Sequence, residues 1–198
     1  MTLSQLNIFQ RPTPTRLVYQ GQHRGHEVVI RHLEKGDVSA LHRYINELSQ
    51  ERTFITFQGE HITLKDERAH VADMIKGIKK HQLVKLLMFV DGICCGSSEI
   101  IMDGRVSAHR GSLGLSIARH VRAVGLGQLF LQSLIDEAII WIPNLRLIQL
   151  SCFATNEVAL KLYKKLGFIE SGRIVGAILY KGEYIDEIIM TLATLRAK

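Results

Sequence analysis

The stretch that decides how this chain reads is "RHVRAVGLGQLFLQSL", residues 119–134. The residues before it, "GSLGLSIA" at 111–118, have the composition of a buried strand, and the apolar residues after it recur at helical spacing. Gly125 and Gly127 carry no Cβ, so the main chain between strand and helix can bend tightly and turn several N–H groups to one side. Those donors, with the positive end of the following helix dipole, favour a bound anion, and Arg122 can add a charge-assisted contact. Phe130 stands where a dinucleotide fingerprint would need a third glycine, and no Gly-Lys-Ser/Thr follows to make a Walker loop. A plain strand-to-helix connection could use the same two glycines, so the turn needs a second signal.

That signal is "NEVALKLYKKLGF", residues 156–168. Asn156 stands at a helix start, and Ala159, Leu162 and Leu166 fall on one face. Tyr163 lies two turns on from Asn156, so the two project to similar sides. Gly167 suits the left-handed position after a helix, and Phe168 the apolar contact that follows it.

Outward from these two segments the pattern is regular. Residues 1–15 hold two of the three prolines and little periodicity and read as a loose arm, with one domain over 16–198. Two strands around a Gly-containing turn follow, in "TRLVYQGQHRGHEVVIRHL". Asp37 is placed to cap a helix carrying Val38, Leu41, Ile45 and Leu48. Thr63 opens a second helix, with Asp66 at the capping-box position. Three strand-like runs come next, at 82–90, 93–101 and 110–118, separated by Asp91-Gly92 and Asp103-Gly104, dipeptides that favour hairpins. A helix over 127–141, a strand over 145–154, the helix after Asn156 and two last strands close an α+β or mixed α/β domain.

Composition narrows the class. The chain has 198 residues, 46% of them hydrophobic and 22% charged, enough to bury a core. No apolar run reaches the ~18 residues of a membrane helix. The first twenty residues lack the basic and apolar regions of a secretory signal, so a cytoplasmic protein is expected. Cys94, Cys95 and Cys152 are an odd set without metal-ligand spacing, so neither disulfides nor a metal is expected. The net charge of +6 suits an acidic partner. Its Lys and Arg residues are scattered rather than striped, which argues against a nucleic-acid surface.

R-x-x-G-x-G over residues 122–127, followed by N-x-x-A-x-x-L-Y-x-x-x-G-F over 156–168, resembles the GCN5-related N-acetyltransferase (GNAT) superfamily. The resemblance covers about residues 27–192. It implies a mostly antiparallel central sheet flanked by about four helices and splayed between its fourth and fifth core strands. It implies acetyl-CoA as co-substrate, with its pyrophosphate on Arg122 and the backbone of Ala123, Val124, Gly125, Leu126, Gly127 and Gln128. The pantetheine arm would pair with Leu115, Ser116 and Ile117, and an N–H near Ile117 would polarise the thioester carbonyl. Asn156 would touch the cofactor from the next helix.

Two departures stand out: the common glycine after Arg122 is Ala123, and basic residues frequent at positions 124 and 128 are replaced by Val124 and Gln128. Because backbone groups do most of this binding, the departures imply weaker affinity at most. Tyr163, a phenol protonated at neutral pH, is the expected acid for the leaving thiolate. Some members carry a base five residues before the Asn; here that position is Ser151, and Glu99 is the first replacement, ahead of His109, Asp186 and Glu187. In the loop between the first two helices, Glu51, Phe54, Phe57 and Glu60 could line a pocket for a cationic amine.

The acceptor implied is a primary amine of a small molecule. A protein lysine or N-terminus, or a non-catalytic acyl-CoA-binding module, are the alternatives. A homodimer is plausible from family habit, and no nucleic acid or membrane partner is expected.

Overall fold

The computed structural model describes residues 17–194, so the arm expected over residues 1–15 lies outside the described residues. Eight strands form one sheet in the order β1-β2-β3-β4-β5-β6-β8-β7. In sequence they are β1 Leu17–His23, β2 His26–His32, β3 Leu83–Val90, β4 Ile93–Met102, β5 Arg110–Ile117, β6 Leu147–Phe153, β7 Ile169–Tyr180 and β8 Glu183–Ala193. Four helices accompany them: α1 Val38–Gln50, α2 Leu64–Lys79, α3 Leu126–Trp141 and α4 Glu157–Lys165. Every neighbouring pair runs antiparallel except β5 and β6.

Each face of the sheet buries one pair of helices. Leu41, Tyr44 and Leu48 of α1 and Val71 of α2 pack with Leu87, Phe89 and Cys94. On the other face, Phe130, Leu131, Leu134 and Ala138 of α3 and Tyr163 of α4 pack with Leu86, Met88, Ile100, Ile148, Leu150, Ile188 and Met190. Strand β3 is therefore covered on both sides, which is why its sequence reads as an almost unbroken apolar run. Cys94, Cys95 and Cys152 are free thiols buried among these side chains.

Local chemistry shapes the turns. Arg24-Gly25, Asp91-Gly92 and Lys181-Gly182 each place two successive residues at positive φ, the type I′ geometry that matches strand twist. Asp103-Gly104 behaves differently. It leads into a 3-10 turn, Arg105–Ser107, that β5 follows, so the expected tight hairpin is a longer connection closed by Asp103 N–H donating to the Arg110 carbonyl. Asp37 does not cap α1 with its side chain: its carboxylate takes the guanidinium of Arg31 (2.6 and 2.8 Å) and the Glu34 N–H (2.8 Å). Thr63 does cap α2, accepting from the Asp66 N–H at 3.2 Å. Helix α3 begins one residue earlier than its spacing suggests, with Gly125 as N-cap at φ 92°.

The feature that positions everything downstream is the parallel pair. β5 and β6 register only at Arg110–Leu147, Gly111–Ile148 and Ser112–Gln149. Beyond that the strands part, β5 staying on β4 as far as Ile117 and β6 staying on β8 as far as Phe153. The sheet thus opens in a splay between the fourth and fifth strands of the core, counting from β2.

Gly111 sits at the base of the splay. A Cβ there would lie 2.6 Å from Ile100 Cγ2 and 3.0 Å from Leu145 Cδ1, both in the buried core. Gly111→Ala is expected to lower stability by about 1–3 kcal/mol through overpacking, read as a lower denaturant midpoint; an unchanged midpoint would show that the strands shift freely there.

Candidate active site

The splay leaves one edge of β5 without a strand partner. Ala118 N–H donates to the Cys95 carbonyl at 2.8 Å, so Ala118, Ser116 and Gly114 turn their main-chain groups toward β4. Alternation sends those of Leu115 and Ile117 the other way, into the opening. The Ser116 hydroxyl faces α1, accepting from the buried Tyr44 hydroxyl at 2.9 Å and donating to the Ser97 carbonyl at 3.3 Å.

The chain then passes a 3-10 turn, Arg119–Val121, and enters the glycine turn. Ala123 has φ 60° and Gly125 φ 92°, so two of three successive residues are left-handed. For Ala123 this costs on the order of 1 kcal/mol, a strain that glycine would not carry. The result is an uninterrupted run of donors. None of the N–H groups of Ala123, Val124, Gly125, Leu126 and Gly127 meets a protein acceptor among the described residues, and the first turn of α3 supplies none. Gln128 N–H is satisfied by the Gly125 carbonyl at 3.2 Å. On the outer side, His23 of β1 donates its Nε2 proton to the Val124 carbonyl at 2.5 Å and braces the turn.

A Cβ built on Gly127 would touch Ile117 Cδ1 and Leu162 Cδ2, each at 3.5 Å. Gly127 therefore lies in the cleft between β5 and α4, where any larger side chain would fill the space beside the donors.

The Arg122 guanidinium is engaged by protein groups. Its Nε donates to the Ile117 carbonyl at 2.7 Å, and its Nη2 to Glu51 Oε2 at 2.5 Å. The other oxygen of Glu51 accepts the Arg119 N–H at 3.0 Å. One carboxylate at the end of α1 thus holds both the entry to the turn and its arginine. Glu51, read from sequence as a pocket acid, is spent on this clamp. Nothing in local spacing reveals it, since the partners lie 68 and 71 residues apart.

On the far side of the opening stands α4. Asn156 caps it, its side-chain oxygen accepting the Ala159 N–H at 3.3 Å. At its C-terminus, Gly167 adopts φ 89°, Gly167 N–H donates to the Lys164 carbonyl and Phe168 N–H to the Tyr163 carbonyl. This is a Schellman motif, and its apolar contact is the Tyr163–Phe168 ring pair at 5.8 Å. Tyr163 is fixed by its backbone and its ring alike. Its hydroxyl has no hydrogen-bond partner among the described residues, and burial, with Cys152 adding to it, pushes the phenol above its ordinary value.

The carboxylates divide sharply. Glu99 lies on the α1/α2 face of β4, paired with the buried Lys85 amine directly across on β3, and its other oxygen covers Gly114. Its charge is already matched. Asp186 accepts from Gly176 N–H (2.9 Å) and Arg173 (3.0 Å), and these contacts hold its carboxyl below the usual range. His109 precedes β5 at the opposite end from Ile117, roughly 25 Å along the strand, beside a shallow cavity of about 360 Å³ lined by Arg105, Asn144 and Arg146. It is too distant to serve the opening. Glu187 lies opposite Phe153 of β6.

Phe54, from the loop after α1, meets Phe153 at 5.6 Å and Tyr180 at 5.5 Å between ring centroids, and Phe153 meets Tyr180 at 5.4 Å. The Tyr180 hydroxyl donates to the Arg52 carbonyl at 3.0 Å and ties this loop to β7. No group of His, Cys, Asp and Glu able to hold a metal occurs among the described residues. No described helix is long and apolar enough to cross a membrane.

The chain is similar to known proteins. The Acetyltransferase (GNAT) family matches residues 42–168. The L-amino acid N-acetyltransferase AaaT of Escherichia coli (strain K12) is 30% identical over 166 residues, covering 83% of this chain and 96% of that protein. A GNAT-family acetyltransferase structure from Streptococcus pneumoniae superposes with a TM-score of 0.75 at 28% identity, covering 85% of this chain and 100% of that one. A ribosomal L7/L12 alpha-N-protein acetyltransferase in complex with coenzyme A matches with a TM-score of 0.74 at 14% identity, over 90% of this chain and 98% of that one, and so speaks to the fold. This chain therefore belongs to the GNAT acetyltransferases and is an N-acetyltransferase.

Proposed function

We propose that the protein transfers an acetyl group from acetyl-CoA directly to the primary amine of a small molecule. The observation that carries this reading is the run of five unpartnered N–H groups from Ala123 to Gly127 beside the free edge of β5. A diphosphate suits such donors at a helix N-terminus. Leu115 N–H and C=O and Ile117 N–H are the edge groups available to an amide-bearing arm, because Arg122 already occupies the Ile117 carbonyl. Ile117 N–H, directed into the opening, would donate to an oxygen gaining charge there. Asn156, at the head of α4, flanks the same path.

Tyr163 fits the role of acid toward the departing sulfur. Its raised phenol keeps the proton across the physiological range, and no protein acceptor competes for it. Glu99, with its charge held by Lys85, serves to fix the floor of the opening over Gly114.

For the acceptor, the aromatic group Phe54, Phe153 and Tyr180, tied across by the Tyr180–Arg52 hydrogen bond, makes a closed apolar end more suited to a small amine than to an extended peptide. The similarity to an L-amino acid N-acetyltransferase supports the same choice. Turnover of the twenty L-amino acids, against that of short peptides with free N-termini, with thiol release as readout, tests it. Preference for peptides would favour the protein-acceptor reading, and no turnover with any amine would sink both.

Three outcomes follow for the site. Gly127→Val is expected to abolish acetyl-CoA binding measured by calorimetry on folded protein, whereas Gly127→Ala, whose Cβ meets ordinary contacts, retains it. Tyr163→Phe is expected to lower kcat by roughly 10²–10⁴-fold with acetyl-CoA affinity unchanged. Burial favours the neutral phenol, so kcat is expected to show no falling limb from Tyr163 up to the ordinary tyrosine value of about 10; a fall below that pH that vanishes in Tyr163→Phe would contradict the assignment.

A further inference from the structure

Four carboxylates stand around the splay: Glu51, Glu99, Asp186 and Glu187. Three are engaged, Glu51 with Arg122 and the Arg119 N–H, Glu99 with Lys85, Asp186 with Arg173 and the Gly176 N–H. The carboxylate of Glu187 has neither an ion pair nor a hydrogen bond among the described residues.

Its place follows from the registers. Ile148, Leu150 and Cys152 of β6 point into the core under α3 and α4, so Ser151 and Phe153 face the other way, where Phe153 meets Phe54. Glu187 is directly opposite Phe153 on one side and Ile174 on the other, and directly paired residues share a face with Cβ atoms about 4.5–5.5 Å apart. It therefore lies beside the aromatic group, on the acceptor side of the opening. It is half-buried. Neither strand sets a charge against it: its partners are Phe153 and Ile174, and the next pair on β6 and β8 is Ser151 and Ile189. Of the nearby charged groups, Arg173 and Asp186 bind one another at 3.0 Å, and the Arg52 guanidinium is turned toward Gly59.

A carboxylate set between apolar side chains and given no cation by the protein is free to take one from a ligand. The ligand this enzyme must bring to that side is an amine, which arrives as an ammonium. We propose that Glu187 is the acceptor-side carboxylate: it binds the ammonium of the incoming primary amine and takes the proton that must leave before the nitrogen can attack. The nitrogen then forms its bond to the acyl carbon as the carbon–sulfur bond breaks. The sulfur is protonated by Tyr163, which regains a proton from the nitrogen through water, and Glu187 returns its proton to solvent. The acid that other members carry at the position of Ser151 would here come from the neighbouring strand, beside the same stretch of β6.

This inference rests on the N-acetyltransferase reading above, and failure of that reading shows first, as absence of turnover by the wild-type protein. Given turnover, the test is Glu187→Gln, of equal size, assayed with the best L-amino acid of the panel. The expected result is a fall in kcat/KM for the amine of about 10²-fold near pH 7, shrinking as pH rises toward the pKa of the amine, because a neutral amine needs no base. Acetyl-CoA affinity by calorimetry stays unchanged, and Glu187→Asp recovers part of the rate. A wild-type rate in Glu187→Gln, or a loss equal at every pH, overturns the proposal. So does a pH-dependent loss in Glu99→Gln but not in Glu187→Gln.

Discussion

A parallel strand pair that registers for three residues and then parts is the constraint on which the rest of this molecule depends. Backbone amides at a strand edge want partners, and inside a covered sheet they would ordinarily find them on the next strand. Here β6 leaves with β8, β5 stays with β4, and the opening is walled by helix N-termini instead of a strand. Its existence relies on rigid shoulders. On one side β3 is buried under helices on both faces; on the other, the β6–β8–β7 ladder carries the remaining three strands of the sheet. These shoulders hold the two strands apart.

Within residues 122–128 the one charged side chain is paired. Arg122 is neutralised by Glu51, and the donors that remain are peptide N–H groups whose orientation is set by two left-handed residues. Groups fixed in this way would need no rearrangement to meet an anion. Ala123 carries the backbone strain that a glycine would relieve, and His23 and Glu51 hold the turn from opposite sides.

Much of this was legible in the sequence because it is local. Gly125 and Gly127 announce a turn by lacking a Cβ, and Asn156, Tyr163, Gly167 and Phe168 form a cap-to-cap unit whose spacing is a property of one helix. Asp91-Gly92 reads correctly because both residues must reach positive φ. Asp103-Gly104 does not, because Gly104 takes an extended conformation and the 3-10 turn after it lengthens the connection. Asp37 looked like a cap, but Arg31, six residues before it, wins its carboxylate. The partners of Glu51 and Glu99, and the surroundings of Glu187, lie beyond local reading. They depend on which strand lies beside which and in what register, and the bulge at Met88 and Phe89 alone shifts the pairing of β3 with β4.

The clamp made by Glu51 has a consequence for how such an enzyme can change. The same residue ends α1, begins the loop that reaches the aromatic group, and anchors the glycine turn through Arg119 and Arg122. Transplanting a foreign loop between the first two helices would, if the graft started at this residue, release the glycine turn as well. A graft beginning one position later leaves that anchor in place, so the boundary between the exchangeable and the indispensable falls between Glu51 and Arg52.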